Sequence, residues 1–147
     1  MVRLIALTLD GIRNISHGVI TFDDLETGGS VTGIYGQNGS GKTCVIDAID
    51  ILRSLIAGRR LFEDSGDAIN ADAHTATITA LYRTAEDETT ASYVEYAVTL
   101  EGGHEDRIAR VIGEELRIGN DPKRMGRPVL SRRRVAGRIE RLPAYVW

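Results

Sequence analysis

Closely spaced glycines followed by a lysine–threonine pair restrict the fold of this chain more than any other feature. Residues 36–43 read Gly-Gln-Asn-Gly-Ser-Gly-Lys-Thr and fit the Walker A pattern G-x-x-x-x-G-K-[ST] at every fixed position. In such a loop, glycines allow backbone N–H groups to turn inward around nucleotide phosphates. The lysine reaches the β- and γ-phosphates as a catalytic group, and the last hydroxyl ligates Mg²⁺. The pattern therefore predicts a P-loop in which Lys42 is catalytic, Thr43 binds the metal, and ATP or GTP contacts Gly36, Gln37, Asn38, Gly39, Ser40, Gly41, Lys42 and Thr43.

The segments on either side of the motif agree with this interpretation. Val31–Tyr35 is a short apolar run with high β propensity. Residues 42–57 carry apolar side chains at helical spacing and end before Gly58, which predicts an amphipathic helix over about 42–57. A phosphate-binding loop belongs between a buried strand and a helix whose positive end faces the anion.

Composition excludes several classes of protein. The chain has 147 residues, 42% hydrophobic and 27% charged, which is typical of about one soluble globular domain. One cysteine excludes an internal disulfide framework, and no apolar run reaches the ~18 residues of a membrane span. We therefore expect a cytoplasmic protein without a membrane partner. His17, His74 and His104 are widely separated, so we expect no metal site built on histidine.

Alternating apolar residues predict strands before and after the P-loop. Residues 2–9 and 18–22 are predicted to pair as antiparallel strands through the short connection 11–14. Strands over 75–82 and 93–100 are predicted to form a hairpin, and strands over 107–112 and 115–118 extend it into an antiparallel meander over about 74–118. The aperiodic polar segment 58–73 predicts a mobile surface loop.

Charge is distributed unevenly along the chain. Residues 119–147 hold 8 of the 18 basic residues but only 2 of the 21 acidic ones. This segment is interpreted as a basic tail, the start of a segment that continues beyond the chain, with a short helix considered near 131–140. Its arginines either contact a nucleic acid or acidic partner or simply form a solvated basic face, and the second interpretation is favoured.

The motifs that would complete a hydrolase are not recognisable. Walker B requires a buried strand that ends in Asp, and neither 6–10 nor 97–101 fits that requirement in position and context. The only glutamine is Gln37, inside the loop itself, and no signature motif of the Leu-Ser-Gly-Gly type occurs. The chain is therefore expected to bind nucleotide but to be incomplete for hydrolysis on its own.

Two elements resemble a known group of ATPases. The sequence 9–15, Leu-Asp-Gly-Ile-Arg-Asn-Ile, is similar to the element between the first two strands of ABC-type ATPase heads of the RecF, SMC and overcoming-lysogenization-defect group. The run Val45-Ile46-Asp47-Ala48-Ile49 after the P-loop is similar to theirs as well. The resemblance implies an α/β fold: an ABC-ATPase-like N-terminal lobe over 1–118, with a mixed sheet and the antiparallel β-meander.

The resemblance also implies a function. In such heads Arg13 and Asn14 would lie near the nucleotide, and Asn38 near the γ-phosphate. Two heads sandwich ATP and Mg²⁺ in a head-to-head homodimer, with DNA or a nuclease as possible partner, in DNA repair, chromosome maintenance or phage defence. Arg13 could instead pair with a surface carboxylate. Asp47 is expected to be solvated, and Cys44 to be a small buried residue.

Two other functions remain open from the residues alone. A small P-loop kinase would use the arginines at 132–134 and 138 as lid residues, but the late P-loop and the β-rich middle argue against it. A non-enzymatic nucleotide-sensing domain would keep the loop without turnover.

Overall fold

The computed structural model describes residues 2–22, 33, 36–37, 41–85, 91–102, 105, 107–135 and 138–142. Within them, the elements in chain order are the strands β1 and β2, the helix α1, a 3-10 helix, and the strands β3 to β7. Their bounds are β1 Val2–Ile12, β2 Ile15–Thr21, α1 Lys42–Ile56, the 3-10 helix Ser65–Ala68, β3 Thr75–Ala85, β4 Ala91–Glu101, β5 Arg110–Gly119, β6 Pro128–Val135 and β7 Arg138–Leu142.

The seven described strands form one sheet in the order β2-β1-β3-β4-β5-β6-β7. Every neighbouring pair of these strands is antiparallel. The predicted pairing of the first two strands and the predicted meander are therefore confirmed. A parallel pair would be needed for a mixed sheet, and the predicted strand around 31–35 lies outside the described residues except for Gly33.

Two β-bulges explain why the sequence alternation changes phase. In β1 the pairing with β3 shifts between Leu4 and Ala6, so Ile5 is the extra residue and Leu4 shares a face with Leu7. In β5 the pairing with β4 shifts at Ile112. The sequence predicted two strands, over 107–112 and 115–118, where the structure has the single strand β5, because a bulge interrupts the period of two.

Helix α1 packs on one face of the sheet, and the core lies between them. The helix directs Cys44, Val45, Ala48, Ile51 and Leu52 at the sheet, and all five are buried. The sheet residues that they meet alternate along the strands, as a half-buried antiparallel sheet requires. These fully or nearly fully buried sheet residues are Leu7, Leu9, Ile12, Ala76, Ile78, Ala80, Val98 and Leu100.

The segment 58–73 is not the surface loop that its polarity suggested. Leu61, Ser65, Ala68 and Ile69 within it are buried, and Ile69 forms a β-bridge with Ile12. The backbone N–H of Gly66 donates a hydrogen bond to Arg107 O at 2.8 Å, which joins the 3-10 helix to the residues just before β5. Tertiary contacts order this segment, although its local sequence has no period.

The short helix considered near 131–140 is wrong for the described residues 131–135 and 138–140, which are extended. Strands β6 and β7 occupy most of it, and β6 continues the sheet by pairing with β5. The side chains Arg132, Arg133 and Arg134 lack the apolar stripe that a helix would need, and the open edge of β5 supplies backbone partners instead. The only α-helix in the described part of the chain is too short and too polar to span a bilayer.

Candidate functional site at the start of the helix

Helix α1 begins at the last glycine of the loop motif. Gly41 is its N-cap residue, with φ 91° in the left-handed region that glycine tolerates, and it provides no side-chain cap. A Cβ at this position would lie 3.0 Å from Ile15 Cδ1, which can shift, so the left-handed backbone is the main reason for glycine here. The first turn contains no acidic residue. No carboxylate therefore competes for the positive end of the helix dipole, which favours an anion at this place.

Lys42 points back over the loop. Its Nζ atom donates to Gly36 O at 2.5 Å and to Gln37 O at 2.7 Å. These contacts hold the ammonium against the first two residues of the motif. Of the remaining predicted contact residues, Thr43 is exposed in the first turn, while Asn38, Gly39 and Ser40 lie outside the described residues.

The turn between β1 and β2 packs along α1 in three consecutive steps. Ile15 lies against Gly41, the side-chain oxygen of Asn14 lies 3.3 Å from Cys44 Sγ, and Arg13 Nε donates to Asp47 Oδ2 at 2.6 Å. Residues 15, 14 and 13 of the turn thus contact helix positions 41, 44 and 47 in that order, so the turn runs antiparallel to the helix. Two residues predicted from the resemblance, Arg13 and Asn14, are brought beside the helix that carries Lys42.

The backbone of Arg13 is held by the segment that follows α1 in the chain. Its φ of 47° lies in the left-handed region, which disfavours a residue with a Cβ by roughly 1–2 kcal/mol. Two hydrogen bonds hold this conformation: Arg13 N donates to Ala68 O at 2.7 Å, and Asn70 Nδ2 donates to Arg13 O at 2.7 Å. Asn70 also donates its backbone N–H to Gly11 O at 2.8 Å. Segment 58–73 therefore positions the turn.

Two expectations about helix residues have different outcomes. Cys44 is 1% exposed, which confirms a small buried residue. The expectation that Asp47 is solvated is wrong: its side chain is only 15% exposed and pairs with Arg13. Asp47 and Asn70 were not among the predicted site residues, since their partner lies 34 and 57 positions away in sequence. The apolar-apolar-Asp pattern after the P-loop was the one available signal.

A second polar cluster lies on the core face, towards the far edge of the sheet. Tyr96 donates its hydroxyl to Glu114 Oε1 at 2.6 Å, and the other oxygen of Glu114 accepts from Arg132 at 2.5 Å. Burial, and then the neighbouring Glu114, raise the pKa of Tyr96 above its ordinary value of 10.0. Tyr96 and Glu114 line a groove together with Leu55 and Ile56, at the end of α1 opposite to the loop motif.

Histidine does not build a metal site in the described chain. His17 Nδ1 lies 2.5 Å from Asp10 Oδ1 on the exposed edge of β2, and His104 lies outside the described residues. Among the described residues, no three His, Cys, Asp or Glu side chains are placed to hold a metal ion.

The sequence match decides the family. Residues 6–130 match the family model described as an AAA domain. The chain belongs to the AAA domain family. No curated protein sequence matches the chain. The match to the AAA domain runs from β1 into β6 and includes the loop motif and α1, so it covers the whole site described above.

Family membership gives the site a chemical meaning. An AAA domain is an ATP-binding region of the ATPase type, and such domains usually bind nucleotide with Mg²⁺. The described residues fit a bound triphosphate, because the uncapped helix start, the absence of acids in its first turn and the Lys42 ammonium all favour an anion at one place.

Proposed function

We propose that this AAA domain is the ATP-binding N-terminal lobe of an ABC-type ATPase of the RecF, SMC and overcoming-lysogenization-defect group. The observation that carries the proposal is the position of Lys42. Its ammonium lies over the loop motif at the uncapped start of α1, within a chain region that matches the AAA domain. The two strands before the motif and the antiparallel meander after it support the assignment to this group.

Each site residue has a proposed role. Backbone N–H groups from residues 36–43 surround the triphosphate, Lys42 neutralises charge on the β- and γ-phosphates, and Thr43 Oγ1 ligates Mg²⁺. When bound, the magnesium ion supplies charge neutralisation between the phosphates. Arg13 and Asn14 flank the nucleotide from the β1–β2 turn. In this proposal the strand over 31–35 completes a mixed sheet behind the loop.

The biological role follows from the group. We propose that two copies of the full head sandwich ATP head-to-head in the cytoplasm, and that the cycle acts on DNA or a nuclease partner in DNA repair, chromosome maintenance or phage defence. Because Walker B and the signature motif are not recognisable in this sequence, this chain alone is expected to bind ATP and to hydrolyse it negligibly.

Replacing Lys42 tests the nucleotide site. Lys42→Ala should weaken binding of MgATP at least tenfold, because one charge-assisted contact to phosphate is worth about 1.5–3 kcal/mol. Isothermal titration of the whole chain with MgATP measures this, with Arg53→Ala on the same helix as the charge-matched control. Equal affinity of wild type and Lys42→Ala for MgATP would show that the loop motif is only a turn and does not bind phosphate through Lys42.

Turnover separates the proposal from its rivals. Release of phosphate by the chain at about 1 s⁻¹ or faster, an ordinary enzymatic rate, would contradict an incomplete site. Transfer of the γ-phosphoryl group to a small acceptor would indicate a kinase instead.

A further inference from the structure

We infer that Asp47 competes with nucleotide phosphates for Arg13, so that the Arg13–Asp47 pair is a latch that opens when ATP binds. The inference rests on the proposed nucleotide site, and it concerns a residue that the site does not otherwise use. In the structure the latch is closed, with Arg13 Nε donating to Asp47 Oδ2 at 2.6 Å.

The position of Asp47 on the helix indicates that it competes with the phosphates for Arg13 and does not hold Arg13 towards them. Asp47 lies six residues beyond Gly41, which corresponds to about 9 Å along the axis at ~1.5 Å per residue. Phosphates bound at the helix start lie at the other end of that distance. A guanidinium that pairs with Asp47 is therefore drawn away from the anion, although its neighbours Asn14 and Ile15 contact the first turns.

The backbone of Arg13 stays fixed while its side chain is able to move. Ala68 O and Asn70 Nδ2 hold the main chain, each through a 2.7 Å hydrogen bond, and neither bond involves the guanidinium. The side chain is 40% exposed, and Asp47 is bonded only to Nε, one of several donor groups of a guanidinium. Rotation about side-chain bonds alone can thus carry the charge from one anion to the other.

The two anions differ in strength. Asp47 offers one negative charge in a partly exposed pair, a class of interaction that contributes little net free energy. A triphosphate offers several charges and geometry suited to bidentate contact with arginine. Arg13 therefore binds the phosphates in preference to Asp47. The ion pair lowers nucleotide affinity by the small free energy that is needed to break it.

Neutralising Asp47 tests the latch directly. Asp47→Asn should tighten MgATP binding about two- to fivefold, which corresponds to opening a partly exposed ion pair worth up to about 1 kcal/mol. Asp50→Asn is the matched control: Asp50 lies on the same helix, is exposed, and shows no ion pair with any described residue. It removes the same charge and should change affinity less than about 1.5-fold, since screening weakens distant exposed charges.

A double substitution separates the latch from the general field of the helix. In an Arg13→Ala background, Asp47→Asn should change affinity no more than Asp50→Asn does, because the competing partner is gone. In the wild type, the Arg13 Nε–H resonance should shift when MgATP saturates the chain, because the guanidinium exchanges its Asp47 partner for phosphate oxygens. This measurement on the unmodified chain does not depend on how the variants fold.

Each outcome has a definite meaning. If wild type and Lys42→Ala bind MgATP equally, the nucleotide site fails and the latch fails with it. If Lys42→Ala weakens binding but Asp47→Asn is no tighter than Asp50→Asn, or is weaker, the nucleotide site stands and the latch is overturned. An Arg13 resonance that is unmoved at saturating MgATP also overturns it.

Discussion

Ser65 is the only fully buried polar residue among those the structure describes, and its removal should measurably destabilise the domain. Its Oγ accepts a hydrogen bond from the backbone N–H of Ala109 at 3.0 Å, and Ala109 itself is 5% exposed. Ser65→Ala removes the acceptor and leaves that N–H in an apolar surrounding. A buried donor without a partner costs about 1–3 kcal/mol. For a chain of this length the melting temperature should fall by about 6 °C, taking ~2 kcal/mol at about 3 °C per kcal/mol.

The same substitution should be felt at the candidate site. The 3-10 helix that begins at Ser65 ends at Ala68, whose carbonyl oxygen accepts the N–H of Arg13 at 2.7 Å. If the loss of the Ser65 hydrogen bond loosens the start of the 3-10 helix, the hydrogen bond from Arg13 to Ala68 at its end should weaken as well. The amide of Arg13 should therefore exchange faster with deuterium in Ser65→Ala, while amides in the middle of β4 change only with global stability.

Calorimetry and native-state hydrogen exchange together decide the matter. Ser16→Ala on the exposed strand β2 is the control, because surface substitutions of this kind stay within about 0.5 kcal/mol. A Ser65→Ala protein that melts with the control would refute the claim that this hydrogen bond fixes the segment, and so would unchanged exchange at Arg13.

Two further substitutions test the sheet. Tyr96→Phe should cost about 1 kcal/mol at neutral pH through the lost hydrogen bond to Glu114. Because the pKa of Tyr96 is raised in the folded state, the unfolded chain loses this proton first, and wild-type stability therefore falls as pH rises above 10. The urea midpoint should accordingly drop less between pH 9 and pH 11 in Tyr96→Phe than in Tyr93→Phe, which keeps Tyr96. Gly11→Ala places a Cβ 2.6 Å from Thr75 O at φ +69° and should cost clearly more than Gly58→Ala, which has similar strain at φ +64° but open space. Equal melting temperatures of the two alanine variants would show that the contact relaxes freely.

The local sequence pattern was sufficient to predict each element whose apolar residues repeat at the spacing of a helix or a strand. The helix from Lys42 is confirmed almost to the residue, since its buried positions repeat at helical spacing and Gly58 ends it. Strands β3 and β4 likewise follow from alternation, and each extends beyond its prediction because antiparallel pairing continues past the last apolar residue. The predicted roles of the residues in 36–43 stay predictions.

Long-range contacts account for what the sequence did not indicate. Asp47 was taken as solvated because nothing local distinguishes it from Asp50, and only the fold brings Arg13 to it. Leu61, Ser65, Ala68 and Ile69 lie in a polar stretch without a period, yet the fold buries all four of them. Backbone pairing to β5, and not the composition of the arginine run, makes β6 a strand.

The extended form of β6 divides its charges. Neighbouring side chains of a strand point to opposite faces, so Arg132 and Arg134 lie on the face of Glu114, and Arg133 lies on the other. Arg132 is already neutralised by Glu114. A polyanion laid across either face therefore meets one guanidinium of this triplet that forms no ion pair with a described side chain. Counterion release from the triplet should change the logarithmic salt slope of DNA binding by only about one unit, where a helix of the same composition would offer a continuous basic ridge.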